Sequence, residues 1–275
     1  MSVARLHVSV LGVGLCGPGL ASWSDARRVL RGDAPWVEAA TALAPPSRLP
    51  PAERRRAGPS IRLAMAVADE AVAACGLDPS TLATVFAASG GEGSNCHALC
   101  EALAAPERLV SPTRFTNSVQ NAPAGFWHIA VASHGPSTSL SAYDASFAAG
   151  LLEAAVQVIA NGHPVLLVAA DVPYPDPLHR LRPLPHPVGT ALVLGPTTQA
   201  SGASACVQLA IALESERAAD STRCRDAALD ALRGAVPAAR ALPLLEAMAA
   251  AERRCVMLDA GGGAWLRVDL EPAGA

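Results

Sequence analysis

Short apolar runs and longer stretches of helical spacing take turns along this chain, and glycine or proline marks most of the boundaries. Residues 6–11 alternate and then run apolar, which predicts a first strand that leaves through GVGLCGPG. A helix from Ser24 through Leu30 ends near Gly32. A second, from Pro59 to Cys75, has proline in its first turn and Gly76 as C-cap. Between them, residues 44–58 mix prolines with Arg54-Arg55-Arg56 and predict a solvated loop. Thr84–Ser89 reads as a short buried strand closed by Gly90-Gly91-Glu92-Gly93, with a helix after it to about Ala104. Residues 137–142 predict a short buried strand and Phe147–Ile159 a long apolar helix. Strands over Val165–Ala170 and Gly189–Leu194 flank a Pro-rich loop, Asp171–Pro187. Beyond Pro196 the pattern gives a strand over Cys206–Leu213, then helices over Arg225–Leu232 and Leu242–Ala251. A strand pair, Cys255–Leu258 with Trp265–Leu270, closes the chain. Strands and helices alternate throughout, which predicts an α/β fold with helices on both faces of the sheet. No internal repeat is legible.

With 275 residues, 51% of them hydrophobic and 16% charged, the chain can bury a large core as one domain or two fused halves. A net charge of −3 gives no electrostatic case for nucleic acid. All 21 basic residues are arginine, which excludes Schiff-base chemistry, a pyridoxal-phosphate anchor and a P-loop lysine. Seven irregularly spaced cysteines argue for a reducing cytosol rather than a disulfide framework. No stretch reaches the roughly 18 apolar residues of a membrane helix, and the N-terminal apolar run is too short for a signal peptide. The expectation is a cytoplasmic protein with no membrane span.

Three motifs promise more chemistry than they carry. Gly12-Val13-Gly14-Leu15-Cys16-Gly17 matches G-x-G-x-x-G after a strand, but Pro18-Gly19 follows directly and no helix opens there. Gly90–Gly93 lacks the ending of a P-loop and reads as a strand-to-helix turn with unusual backbone angles. Cys96, His97 and Cys100 have no second ligand pair, so buried structural thiols are the expectation. Asp171, Asp176, His179 and His186 share one loop, solvated or hydrogen-bonded, with an ion site left open. No cofactor and no metal is expected.

The informative segment is Ser111–Ala155. Asn121, Ala124-Gly125, Gly135-Pro136 and Ser141-Ala142-Tyr143-Asp144 fall in a fixed order before the helix. This order resembles the ketosynthases, the condensing enzymes of fatty acid and polyketide synthesis, over about residues 5–195. The resemblance implies a thiolase-like fold, layered α-β-α-β-α, with the N-terminal half (1–196) well kept and the C-terminal half (197–275) shortened within one domain. It places Asp144 on the position of the nucleophilic cysteine.

An aspartate at a helix N-terminus is a weak nucleophile but a good N-cap, so Asp144 is expected to be structural. Cys16, Cys75 and Cys206 lie in other elements and offer no replacement thiol. The histidines and lysine that ketosynthases carry in the C-terminal half are missing, since nothing after His186 is histidine. The chain therefore looks like a non-catalytic ketosynthase-like chain-length factor, of the short form associated with aryl polyene and xanthomonadin-type pigment clusters.

Several partner and residue expectations follow from that resemblance. The chain would form a heterodimer with an active ketosynthase and meet acyl carrier protein through the complex. Ser137, Thr138, Ser139, Leu140, Ser141 and Ala142 would pair with the partner, with Tyr143 at the turn. Phe115, Asn117 and Gln120 are candidate walls of the partner's acyl tunnel, on a loop ending at Asn121. Two other readings stand beside this one. One is an acyl-transferring or hydrolysing enzyme using Asp144 with His128 or His134; the other is a homodimeric acyl-chain-binding protein.

Overall fold

The computed structural model describes residues 5–197, 207–215 and 220–272. Eight strands form one sheet in the order β3-β2-β4-β5-β1-β6-β8-β7. They are β1 (Leu6–Cys16), β2 (Ala83–Ala87), β3 (Ser137–Leu140), β4 (Val165–Asp171), β5 (Val188–Pro196), β6 (Val207–Glu214), β7 (Arg254–Gly261) and β8 (Ala264–Pro272). The parallel pairs are β2 with β3 and β2 with β4; all other neighbours run antiparallel.

Ten helices surround the sheet among the described residues. They are α1 (Trp23–Arg31), α2 (Pro51–Arg56), α3 (Pro59–Cys75), α4 (Gly93–Ala104), α5 (Pro112–Thr116), α6 (Ala122–Val131), α7 (Ser146–Asn161), α8 (Leu178–Leu181), α9 (Ala227–Ala235) and α10 (Leu242–Ala250). One apolar cluster lies under α3 and α6, on one face of the first sheet half. The other holds α1, α7, α9 and α10 between that half and the inward faces of β6, β8 and β7. Helix α7 packs on β4, β2 and β1 and also touches β7.

Beyond β1 the strands alternate between one buried and one more exposed, outer face. On β6 and β8 the core positions Leu209, Ile211, Leu266 and Val268 alternate with Gln208, Ala210, Arg267 and Asp269. No buried cluster covers that outer face among the described residues. The sheet also contains an echo that the sequence hides. Read outward from the central β1–β6 pair, β1-β5-β4 on one side matches β6-β8-β7 on the other, all antiparallel.

Several expectations need correction. β1 does not end at the first glycines but runs through them to Cys16. A Cβ on Gly12 would stand 2.0 Å from the Ala71 carbonyl oxygen, and one on Gly14 2.0 Å from that of Val67. The motif is therefore a seat for the Ala-rich α3 backbone and not a nucleotide turn. The arginine run is helical, in α2, and the loop after β4 contains α8. The strand over residues 137–140 is not buried but forms the sheet's edge. The start of β6 expected at Cys206 lies outside the described residues.

Candidate functional site

Strand β3 ends in a turn, Tyr143–Ala145, that throws the chain into α7. Tyr143 has φ +52°, left-handed backbone that a non-glycine residue adopts only when its surroundings hold it there. Hydrogen bonds supply the hold. Ser146 Oγ accepts from the Ala142 amide (3.0 Å) and donates to the Tyr143 carbonyl (2.7 Å). Ser141 Oγ donates to the Ala88 carbonyl and accepts from Gln120 Nε2, both at 2.6 Å. The end of β2, the loop before α6 and the elbow are thus tied together.

Asp144 is not the N-cap of α7; Ala145 holds that place, and no side chain caps the helix. The carboxylate turns instead to two guanidiniums. Arg182, just after α8, donates to Oδ1 and Arg240 donates to Oδ2, each at 2.9 Å. Arg240 sits on the turn Pro237–Ala241 and also reaches Asp259 of β7 at 3.4 Å. Arg182 lies 3.6 Å from the centroid of the Tyr143 ring. Burial alone would lower the Arg182 pKa, but Asp144, Tyr143 and Tyr174 outweigh it and hold the guanidinium above its ordinary value.

Beneath this cluster, Asp171 is buried at the end of β4. It accepts from the Ser89 amide (2.8 Å) and the Ala238 amide (2.9 Å). Burial raises its pKa, with the two amides and Arg182 pulling the other way. The other members of that loop spread outward. Asp176 stands 3.7 Å from Arg180 and His186 pairs with Glu38 at 3.3 Å. No cluster that could hold a metal ion occurs among the described residues.

The remaining candidates separate into two groups. Phe115, Gln120, Asn121, Ser137, Ser141 and Tyr143 are exposed, and Thr138, Ser139, Leu140 and Ala142 are half-buried. Asn117 is buried, donating 2.9 Å to the Arg56 carbonyl of its own chain. A groove beside β3 is lined by Gln120, Asn121, Gly125, His128, Ser137 and Ser139. Behind the elbow, Ala87, Ala88, Val119 and Tyr174 help line a small cavity of about 30 Å³, room for water molecules.

His128 Nε2 is 3.1 Å from Thr84 Oγ1, which donates to Ser137 Oγ at 2.8 Å. No hydrogen bond joins Asp144 to His128 or His134 among the described residues. Cys96 and Cys100 are exposed rather than buried. Gly90 and Gly93 do not have positive φ. Tyr174 lies against both, 2.4 and 2.5 Å from where a Cβ would stand.

Sequence reasoning missed both arginines of the elbow. Arg182 and Arg240 stand 38 and 96 residues from Asp144, and no local motif surrounds either. The absence of lysine offered the one hint, because any cation near the elbow had to be arginine.

Residues 23–256 match the family profile of the beta-ketoacyl synthase N-terminal domain. Curated protein sequences give no match. Among solved structures, a chain of the ketosynthase ApeO in complex with its chain length factor ApeC, from Xenorhabdus doucetiae, superposes with a TM-score of 0.71 at 21% identity. That match covers 96% of this chain and 99% of that one. A chain of AntDE:AntF, a type II PKS acyl-carrier protein in complex with its ketosynthase bound to the hexaketide, gives 0.77 at 13% identity, covering 98% and 100%. A beta-ketoacyl synthase from Burkholderia phymatum STM815 gives 0.69 at 13%, covering 97% and 99%. At these identities the likeness establishes the ketosynthase fold.

Proposed function

The chain belongs to the beta-ketoacyl synthase N-terminal domain family, and from that premise we propose that it is a non-catalytic chain-length factor. It pairs with an active ketosynthase, meets acyl carrier protein through that complex and shapes the partner's acyl tunnel in aryl polyene-type synthesis. Its domain consists of a kept half, 1–196, and a shortened half, 197–275.

The observation that carries this reading is the state of Asp144. Both carboxylate oxygens are held by arginine, and His128 bonds to Thr84 instead. A carboxylate so neutralised has neither the nucleophilicity nor the general base that acyl transfer needs.

The edge strand supports the pairing. The Thr84 amide donates to the Pro136 carbonyl, and the Ala88 amide to that of Leu140. Residues 136, 138 and 140 therefore turn their backbone groups to β2, and those of Ser137 and Ser139 point away from the sheet. An open edge of this kind invites a further strand. Ile129 on α6 and Val156 on α7 are also exposed.

Co-expression with a ketosynthase encoded beside this chain tests the proposal. The expected product is a 1:1 complex that resists dilution. A stable lone monomer that ignores the ketosynthase would overturn the pairing, and a self-paired chain with bound lipid would favour the homodimeric reading.

A further inference from the structure

We infer that Arg182 and Arg240 form a receptor for a carboxylate group, and that Asp144 is the ligand the chain supplies to it from within. The inference rests on the elbow being non-catalytic but not on the pairing with a ketosynthase.

Two guanidiniums from elements far apart in sequence converge on the two oxygens of one carboxylate, at 2.9 Å each. Their side chains are only 16% and 20% exposed, so neither is a loose surface charge. Each keeps a buried Nε with no hydrogen-bond partner among the described residues, so donor capacity is left over. Arg240 has a second carboxylate in Asp259, whereas Asp144 is the one ion-pair partner of Arg182 among the described residues. The helix does not use the Asp144 side chain as a cap. What fixes the carboxylate is the arginine pair.

The site is also reachable, because the Asp144 side chain is 40% exposed. Removing that side chain would leave converging N–H donors around a space of carboxylate size. Donors in planar forks favour a planar oxyanion over a spherical halide. In the intact chain the place is taken, and a thioester bearing a free carboxylate finds both guanidiniums already paired. The elbow is thereby closed to such a group because its donors are occupied.

Asp144→Ala tests this, with sodium acetate as the probe and sodium chloride of equal ionic strength as control. Acetate should raise the melting midpoint of Asp144→Ala by on the order of 5 °C over chloride. The unsubstituted chain should be indifferent, and adding Arg240→Gln should abolish the response. Equal effects of acetate and chloride would overturn the inference.

If Asp144→Ala accumulates folded only in acetate, that recovery is itself the predicted result. If it folds in neither salt, Asp144→Cys decides by its rate of alkylation against pH. A thiol between two guanidiniums should react at least tenfold faster at pH 7 than an ordinary cysteine, and Arg240→Gln should remove the advantage. An ordinary alkylation profile there would overturn the inference. None of these readouts involves a partner subunit, so failure here and failure to form the heterodimer are separate results.

Discussion

In the first half of the sheet the unit β4-β5-β1 continues through β2 to β3 and its elbow. In the second half the matching unit β7-β8-β6 stops at β7. Among the described residues, the first half is covered on both faces by helices, whereas the second is covered on the inside alone. What the first half gains is an edge strand that can be paired and a turn that presents a side chain. What the second half contributes is the lock on that turn, through Arg240 and Asp259. The C-terminal half has kept the strands that close the core and an arginine that pins the elbow. No histidine follows His186 in the sequence.

This contrast can be broken or sharpened by substitution. The largest effect is expected where a helix lies directly on the sheet. Gly14→Ala drives a Cβ to 2.0 Å from a carbonyl oxygen of α3 and should cost about 3 kcal/mol or more, read by denaturant unfolding. Gln208→Ala, on the bare face of β6, should stay within about 0.5 kcal/mol. Equal effects would mean that the two faces are not packed as described.

Ser139→Pro removes an outward N–H from β3 without removing a bond to β2. Unfolding should change little, but affinity for a paired ketosynthase should fall by about 100-fold or more, measured by dissociation of the purified complex. Unchanged affinity would move the interface away from β3.

Arg240→Gln cuts the link between the halves while leaving Arg182 on Asp144. Asp144 and Asp259 are both partly solvated, so the loss should be modest, about 1–2 kcal/mol. It should shrink at high salt.

The smallest contrast concerns thiols, where the halves should behave alike. Burial raises the pKa of Cys16 in the first half to about 11, and it raises that of Cys224 in the second half also. An acid whose pKa is higher when folded stabilises the protein most below its unfolded pKa. That stability is lost as pH rises from about 9 to about 11 for Cys16. Native-state alkylation at pH 8 should mark Cys96, Cys100 and Cys255 and spare Cys16 and Cys224. Labelling of Cys224 would show that the shortened half is loosely packed.

Much of this architecture was legible in the residues, because helix caps and apolar runs are local signals. Gly76 and Gly162 end their helices in the left-handed conformation, and Pro59 opens α3 where the spacing put it. The failures were of another kind. Gly12 and Gly14 answer to a helix 50 or more residues away, so their local pattern misled. Ser137–Leu140 became an edge strand because nothing in the described residues lies beyond it, and a strand's own sequence says little about its neighbours. Asp144 looked like a cap because caps are local, but two distant arginines outcompeted the helix. The paired three-strand units left no trace in the residues, since a backbone arrangement can be repeated by unrelated apolar sequences.

The central claim is that this subunit performs no condensation and that a partner does. The direct measurement is carbon–carbon bond formation from acyl and malonyl carrier-protein thioesters, by the isolated chain and by the co-purified complex. The account predicts no product from the isolated chain, and product from the complex that survives Asp144→Ala but not loss of the partner's cysteine. An elongated acyl thioester made by the isolated chain would contradict it.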